Sequence, residues 1–173
     1  MISALVLSPS LRAAPEPRAP EAVARSLNAL VRLAVEGVLR DVAIVGPDEG
    51  LAELADAAGC ALIETGSTQD GLARGVAQVR ADFVFVLEGG YAPTSGLADE
   101  ADEFLLDRER FRGALLRRAP HSVVTRFAPG LARPVGVLAP REKISAAAPR
   151  DLADLIRRLK IRRSLAVRAQ RVV

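Results

Sequence analysis

The chain has few of the residues on which many reactive sites depend. It contains one cysteine, Cys60, and one histidine, His121, in 173 residues. A single cysteine excludes an intrachain disulfide and favours a reducing compartment, which predicts a cytoplasmic protein. A single histidine excludes multi-histidine metal sites, including His-based zinc motifs. A Cys60–His121 catalytic pair stays open, although Cys60 begins an apolar run, where an inert buried thiol is typical.

Aromatic residues and long apolar runs are also scarce. Aromatic residues make up 3% of the chain, so binding of nucleic acid by base stacking has little support. No apolar run approaches the length of a membrane-spanning helix. Residues 1–7 are apolar without preceding basic residues, which is typical of a strand and not of a signal peptide. We therefore expect a soluble domain whose core is built from Ala, Val, Leu and Ile.

In the first half of the chain, short apolar runs alternate with helical patterns. Strands are predicted over 2–7, 41–45, 60–63 and 82–87. Helices are predicted between them, with Asp48 as N-cap of the second and Thr68 or Asp70 as N-cap of the third. This alternation predicts parallel strands with right-handed crossovers. We expect an α/β fold in one domain, 1–173, with a mostly parallel central sheet and helices on both faces.

The second half of the chain is less regular and its charge is uneven. We expect a helix over 97–110, strands over 113–116, 122–127 and 135–138, a helix from Asp151 and a strand in the tail from residue 164. Segment 99–109 is acidic and segment 157–171 is strongly basic. The last helix should pack its leucines on the domain and turn its arginines outward. A solvated surface explains these arginines, and an anionic membrane surface is the alternative partner.

Four loops follow the predicted parallel strands, at the sheet edge where ligands bind in such folds. They are 8–12, 46–50, 65–71 and 88–91. Their small residues allow close approach of a ligand, although any such sheet needs turns there. The Gly-x-Gly-x-x-Gly dinucleotide motif and the phosphate-loop motif are both absent.

The order of these pieces resembles the family-2 glycosyltransferases of the GT-A fold, closely over 1–95 and more loosely over 96–173. The segments that carry the resemblance are Ser8-Pro9-Ser10, then 34–37, 44–50 and 71–75, and finally the strand 82–87. Where the family places its Asp-x-Asp metal motif, this chain has Glu88-Gly89-Gly90. One carboxylate is kept there and the second is lost.

The resemblance implies a nucleotide-sugar donor, an acceptor of unspecified identity and a divalent metal, Mg²⁺ or Mn²⁺. The implied nucleotide-binding residues are Pro9, Ser10, Arg12, Gly46, Asp48, Gly89 and Gly90, and the implied metal ligand is Glu88. No catalytic residue is assigned, since the acidic residues near 99–103 are candidates by location only.

Two other functions stay open. Because the metal motif is incomplete, the alternative to a transferase is a catalytically degenerate binding or scaffold module. A nucleotidyltransferase, which uses a related sheet, ranks lower because the loop after the first strand lacks the glycines that such enzymes need.

Overall fold

One sheet runs through the part of the chain that the computed structural model describes, which is residues 1–11, 18–48, 50–106, 112–120, 127 and 129–172. Its strands are β1 (Ile2–Leu7), β2 (Leu39–Gly46), β3 (Ala61–Glu64), β4 (Phe83–Glu88), β5 (Tyr91–Pro93), β6 (Ala114–Arg118), β7 (Pro134–Pro140) and β8 (Ser164–Arg171). The helices are α1 (Ala19–Val35), α2 (Leu51–Ala58), α3 (Thr68–Gln78), α4 (Leu97–Leu106), α5 (Arg141–Ala147) and α6 (Leu152–Leu159).

The sheet is parallel in its first half and mixed in its second, with the order β3-β2-β1-β4-β7-β6-β8-β5. β1 pairs in parallel with β2 and β4, and β2 pairs in parallel with β3. This confirms the predicted arrangement of the first four strands. β7 runs antiparallel to β4 and β6, while β8 is parallel to β6 and antiparallel to β5. The reversal at β7 brings its amino end to the edge where β1 and β4 have their carboxyl ends.

Helices cover both faces of the sheet, as predicted. On one face, apolar side chains of α1, α2 and α4 pack with alternate residues of the strands in a single cluster. On the other face, α3, α5 and α6 pack against the intervening strand residues in a second cluster. β1 and β4 are buried along their whole length and supply both clusters, which explains why neither strand alternates polar with apolar residues.

Two of the predicted helix caps are wrong. Gly50 precedes α2 in a left-handed conformation with φ +80°, and no side chain caps that helix. Asp48 supplies its backbone carbonyl instead, which accepts a hydrogen bond from the Leu51 N–H at 3.0 Å. At α3 the cap is Ser67, whose Oγ accepts from the Asp70 N–H. The observed caps therefore lie one to three residues away from the positions that sequence patterns favoured.

In the second half, β6, β7 and β8 confirm three of the predicted strands. The candidate strand 122–127 lies outside the described residues except for Phe127, and the predicted helix 97–110 is described as α4 to Leu106. β5 and α5 were not predicted, because three residues and two turns are too short to show a period. In the described part of the chain, no helix is long and apolar enough to cross a membrane.

The amphipathic last helix is confirmed as α6, capped by Asp151, whose carboxylate accepts the Asp154 N–H at 2.7 Å. Leu152 and Leu155 are buried in the second cluster, and Ile156 packs at its margin. Two of the outward arginines, 157 and 158, bind the carboxylate of Asp154. Their charge is thus partly neutralised within the helix, and contact with an anionic membrane stays a prediction.

Asp154 ties α6 to the segment before it. Its carboxylate accepts the backbone N–H of Arg150 at 3.0 Å and also binds the guanidinium groups of Arg157 and Arg158. The Arg150 N–H, and then the two arginines, lower the pKa of Asp154 below its ordinary value, although desolvation opposes them. The ionised carboxylate is therefore the form that the fold stabilises.

We expect Asp154→Asn to lower the melting temperature at neutral pH. The pKa of Asp154 is depressed in the folded state. The stabilisation that its ionised carboxylate provides is therefore complete above the unfolded-state pKa, and it is lost as the pH falls through the folded-state pKa. The difference between the two proteins should therefore narrow below about pH 4. Thermal melts from pH 7 to 2 measure this difference in melting temperature. Asp102→Asn is the control, because Asp102 is exposed. A difference that is constant with pH would contradict the ionic role of Asp154.

Candidate functional site

A cleft of about 470 Å³ opens at the carboxyl ends of β1, β3 and β4. Small-molecule sites commonly have volumes of roughly 300–1,000 Å³. The first half of the chain lines the cleft with Leu7, Ser8, Pro9, Leu11, Gly66, Ser67, Thr68, Glu88 and Gly89. The second half adds Arg133, Arg150, Asp151, Leu152 and Ala153. Three of the four loops selected from the sequence therefore meet in one place.

Only some of the residues predicted to bind a nucleotide line this cleft. Pro9 and Gly89 do so, and so does Glu88, which was predicted as a metal ligand. Arg12 lies outside the described residues. Ser10 stands between the lining residues Pro9 and Leu11 without lining the cleft itself, and its hydroxyl is buried without a hydrogen-bond partner among the residues described.

Gly46, Asp48 and Gly90 are not part of the lining. A Cβ on Gly46 would lie 2.6 Å from Cβ of Ser8, so this glycine lets the ends of β1 and β2 approach each other. The Gly90 N–H donates to Ser26 Oγ at 2.9 Å, and its carbonyl accepts from the Val172 N–H. The contacts of both glycines are thus structural, and their role toward a ligand stays a prediction.

The turn after β4 fixes Glu88 at the edge of the cleft. The Gly89 N–H donates to the carbonyl of Leu7 at 2.8 Å, which ties the turn to the end of β1. A Cβ at position 89 would lie 2.9 Å from that carbonyl oxygen, so a side chain there would displace the backbone. Ser26, fully buried in α1, accepts from Gly90 and donates to the carbonyl of Tyr91 at 2.9 Å. The backbone around Glu88 is therefore held from both sides.

Glu88 and Arg133 form an ion pair in the cleft. Nη2 of Arg133 lies 3.0 and 3.3 Å from the two carboxylate oxygens of Glu88. The Glu88 side chain is 7% exposed, whereas that of Arg133 is 56% exposed. The carboxylate is consequently buried beneath a cation that faces the open space.

Groups that carry full or partial positive charge lie along the remaining wall of the cleft. The amino ends of α3 and α6 both lie there, and helix amino ends carry partial positive charge. Asp151 is occupied as the cap of α6. The exposed guanidinium of Arg150 pairs with none of the acidic groups in the described ranges. The arrangement favours an anionic ligand, and the helix ends add to what the two arginines supply.

Cys60 is not among the residues that line the cleft. It packs at the margin of the first core cluster, and burial raises the pKa of its thiol. A raised pKa disfavours the reactive thiolate. His121, its suggested partner, lies outside the described residues.

Sequence patterns did not identify Arg133 and Arg150 as site residues. Both precede elements of the irregular half, and only the reversal of β7 brings Arg133 to the edge occupied by Glu88. One signal was present: Asp151 is a good N-cap, and the residue before such a cap lies at a helix amino end. Nothing in the sequence indicated which loop that helix end faces.

Comparison with solved structures identifies the fold of the chain. No family model and no curated protein matches the chain. Solved structures do match, among them 4-diphosphocytidyl-2C-methyl-D-erythritol synthase from Anaerococcus prevotii, with a TM-score of 0.62 and 10% identity over 95% of this chain and 86% of that one. Mannosyl-3-phosphoglycerate synthase from Rubrobacter xylanophilus has a TM-score of 0.59 and 15% identity, over 100% of this chain and 67% of that one.

A third match is glucosyl-3-phosphoglycerate synthase from Mycobacterium tuberculosis, solved with Mn²⁺, UDP and phosphoglyceric acid. Its TM-score is 0.58 at 15% identity, over 83% of this chain. This chain spans 56% of the length of that enzyme. At such identities the likeness concerns the course of the backbone and not the site residues.

That enzyme was solved with Mn²⁺, and the residues of this cleft differ from what such an ion requires. A divalent cation of this kind takes oxygen ligands, usually several carboxylates or substrate phosphates. Among the described residues, no three His, Cys, Asp or Glu side chains form a group that would hold a metal ion. Glu88 already contacts Arg133 through both oxygens. These donors do not fit a protein-held metal, and the assignment of Glu88 as a metal ligand stays a prediction from the sequence.

The backbone of this chain therefore follows the same overall course as these solved structures. The chain has the GT-A fold of the nucleotide-diphospho-sugar transferases.

Proposed function

We propose that the cleft binds the diphosphate of a nucleotide-sugar, and that the protein is a glycosyltransferase-like transferase acting on an acceptor that enters from the side of residues 96–173. The observation that supports this proposal is that Arg133, Arg150 and two helix amino ends lie together at the carboxyl edge of the parallel strands. Phosphate groups are the ligands that guanidinium groups and helix amino ends recognise best.

The size and the walls of the cleft support a ligand larger than phosphate alone. Its volume of about 470 Å³ exceeds that of one small anion, and Leu7, Pro9 and Leu11 give it an apolar side. Ligand sites of this class combine apolar walls with a few polar groups that set orientation.

The variant Ala153→Glu tests the location of the ligand. Ala153 is exposed and lies in the first turn of α6, where a carboxylate suits the helix but repels an anion in the cleft. We expect calorimetry with UDP, GDP, CDP and ADP to identify one ligand, and its affinity to fall on the order of tenfold in the variant.

The matched control is Ala57→Glu on α2, which packs on the opposite face of the sheet. Its affinity should equal that of the wild type. Equal affinity for all three proteins would show that the nucleotide binds elsewhere, and no binding of any nucleotide would contradict the proposal.

The second candidate is a binding module without turnover. It is favoured by the acidic groups of the cleft, since Glu88 is paired with Arg133 and Asp151 caps α6. No acidic side chain among the described lining residues is then left to act as a base. Release of nucleoside diphosphate from a panel of nucleotide-sugars, with and without added sugar or phosphorylated acceptors, distinguishes the two. Tight binding without release would favour the module.

A further inference from the structure

The pair formed by Glu88 and Arg133 lies where the resembling family has its metal motif. β4 ends at Glu88, and the carboxylate there is 3.0 Å from Nη2 of Arg133. A carboxylate that contacts a guanidinium with both oxygens has few lone pairs left for a metal ion. The protein itself thus supplies a cation beside Glu88.

The backbone that carries Arg133 is held in place. The carbonyl of Arg133 accepts from the Arg118 N–H at 3.0 Å. The carbonyl of Ala132 accepts from Nη1 of Arg117 at 2.7 Å, and Ala132 is 2% exposed. Two hydrogen bonds from β6 therefore fix the segment before β7, and Glu88 fixes the end of the side chain.

Arg133 also retains donors for a ligand. A guanidinium has five N–H groups, and the contacts with Glu88 involve Nη2 alone. Its side chain is 56% exposed and lines the cleft. Arg150 also lines the cleft and adds a second guanidinium, so the two arginines leave a net positive charge beside the cleft even though Glu88 is paired with Arg133.

We infer that Arg133, tethered by Glu88 and assisted by Arg150, replaces the divalent cation and binds the diphosphate directly. This rests on the proposed function, because it names the group that recognises the diphosphate of the same ligand. Glu88 acts here as a positioning residue that holds Arg133, and not as a metal ligand. A planar guanidinium can donate two parallel hydrogen bonds to phosphate oxygens, whereas an ammonium group acts as a point charge.

The experiment is calorimetry with inorganic pyrophosphate and with the nucleoside diphosphates, each in excess EDTA and in Mn²⁺. Wild-type affinity should be the same in both media within about twofold. Arg133→Gln should weaken both ligands at least about tenfold, since charge-assisted hydrogen bonds are lost. Arg133→Lys should recover only part of this, and Glu88→Gln should weaken binding less than Arg133→Gln.

Arg80→Gln is the matched control, because Arg80 is exposed and precedes β4, at the opposite edge of the sheet from Glu88. It should bind as the wild type does. Melting temperatures of all variants show whether each has folded, and a variant that binds pyrophosphate weakly at an unchanged melting temperature supports the inference.

The possible failures are distinct. Nucleotide binding that requires Mn²⁺, or that is unaffected by Arg133→Gln, would overturn the replacement of the cation and leave the proposed function standing. Binding of pyrophosphate in EDTA, lost in Arg133→Gln, without binding of any nucleotide would support the anion site and contradict the nucleotide-sugar proposal. Binding of neither ligand would overturn both.

Discussion

Replacement of Phe85 by alanine is expected to lower the free energy of unfolding by about 3–5 kcal/mol. Phe85 lies in the middle of β4, is 0% exposed and pairs in register with Ala4 of β1 and Leu138 of β7. Because β4 joins the parallel and the antiparallel halves of the sheet, the alanine would leave a cavity. The neighbouring strands cannot fill that cavity without disturbing their own pairing. Since small domains are stable by only about 5–15 kcal/mol, the loss would be a large fraction of the total.

Urea unfolding measures this prediction, with the midpoint expected to fall and the slope to stay constant. Phe127→Ala is the control, because that side chain is 88% exposed and its truncation should change stability by less than about 0.5 kcal/mol. A loss in Phe85→Ala no larger than that of the control would contradict the buried position of β4.

Leu155→Ala is expected to lower the free energy of unfolding by about 2–5 kcal/mol and also to weaken ligand binding. Leu155 is 0% exposed and packs α6 against the second core cluster. The amino end of the same helix lines the cleft through Arg150 and Asp151. Loss of packing beneath α6 therefore affects both the fold and the position of the cleft wall.

Leu159→Ala is the matched control on the same helix, since its side chain is only half-buried at the margin of the cluster. It should cost clearly less stability and leave ligand affinity unchanged. Urea unfolding and calorimetry together test the pair. Equal effects of the two substitutions would contradict a specific link between Leu155 and the cleft.

The parallel half of the fold could be predicted from the sequence because its signals are local. The apolar runs at 2–7 and 82–87 are almost uninterrupted, and strands buried on both faces have that composition. The rule that ligands bind at the carboxyl ends of such strands selected the loops, and the family resemblance then picked out Pro9, Glu88 and Gly89, which line the cleft.

The same loops also contain residues implied by the resemblance that do not line the cleft. Gly46 and Gly90 have the small size expected of ligand-binding loops, yet their close contacts are with Ser8 and Ser26. A glycine allows close approach of any group, and the sequence does not say whether that group is a ligand or another strand. Asp48 was predicted as a cap from its residue type, but Gly50, in a left-handed conformation, is the residue that precedes α2.

Local sequence patterns were sufficient to predict the elements whose periodicity is long enough to be seen, namely the four parallel strands, the helices between them and the amphipathic α6. Tertiary structure alone decided the direction of β7 and, through it, the contact between Arg133 and Glu88, which are 45 residues apart. Strand direction after an irregular connection depends on which sheet edge is open and how the chain returns to it. That is a property of the assembled sheet, and no local pattern of residues encodes it.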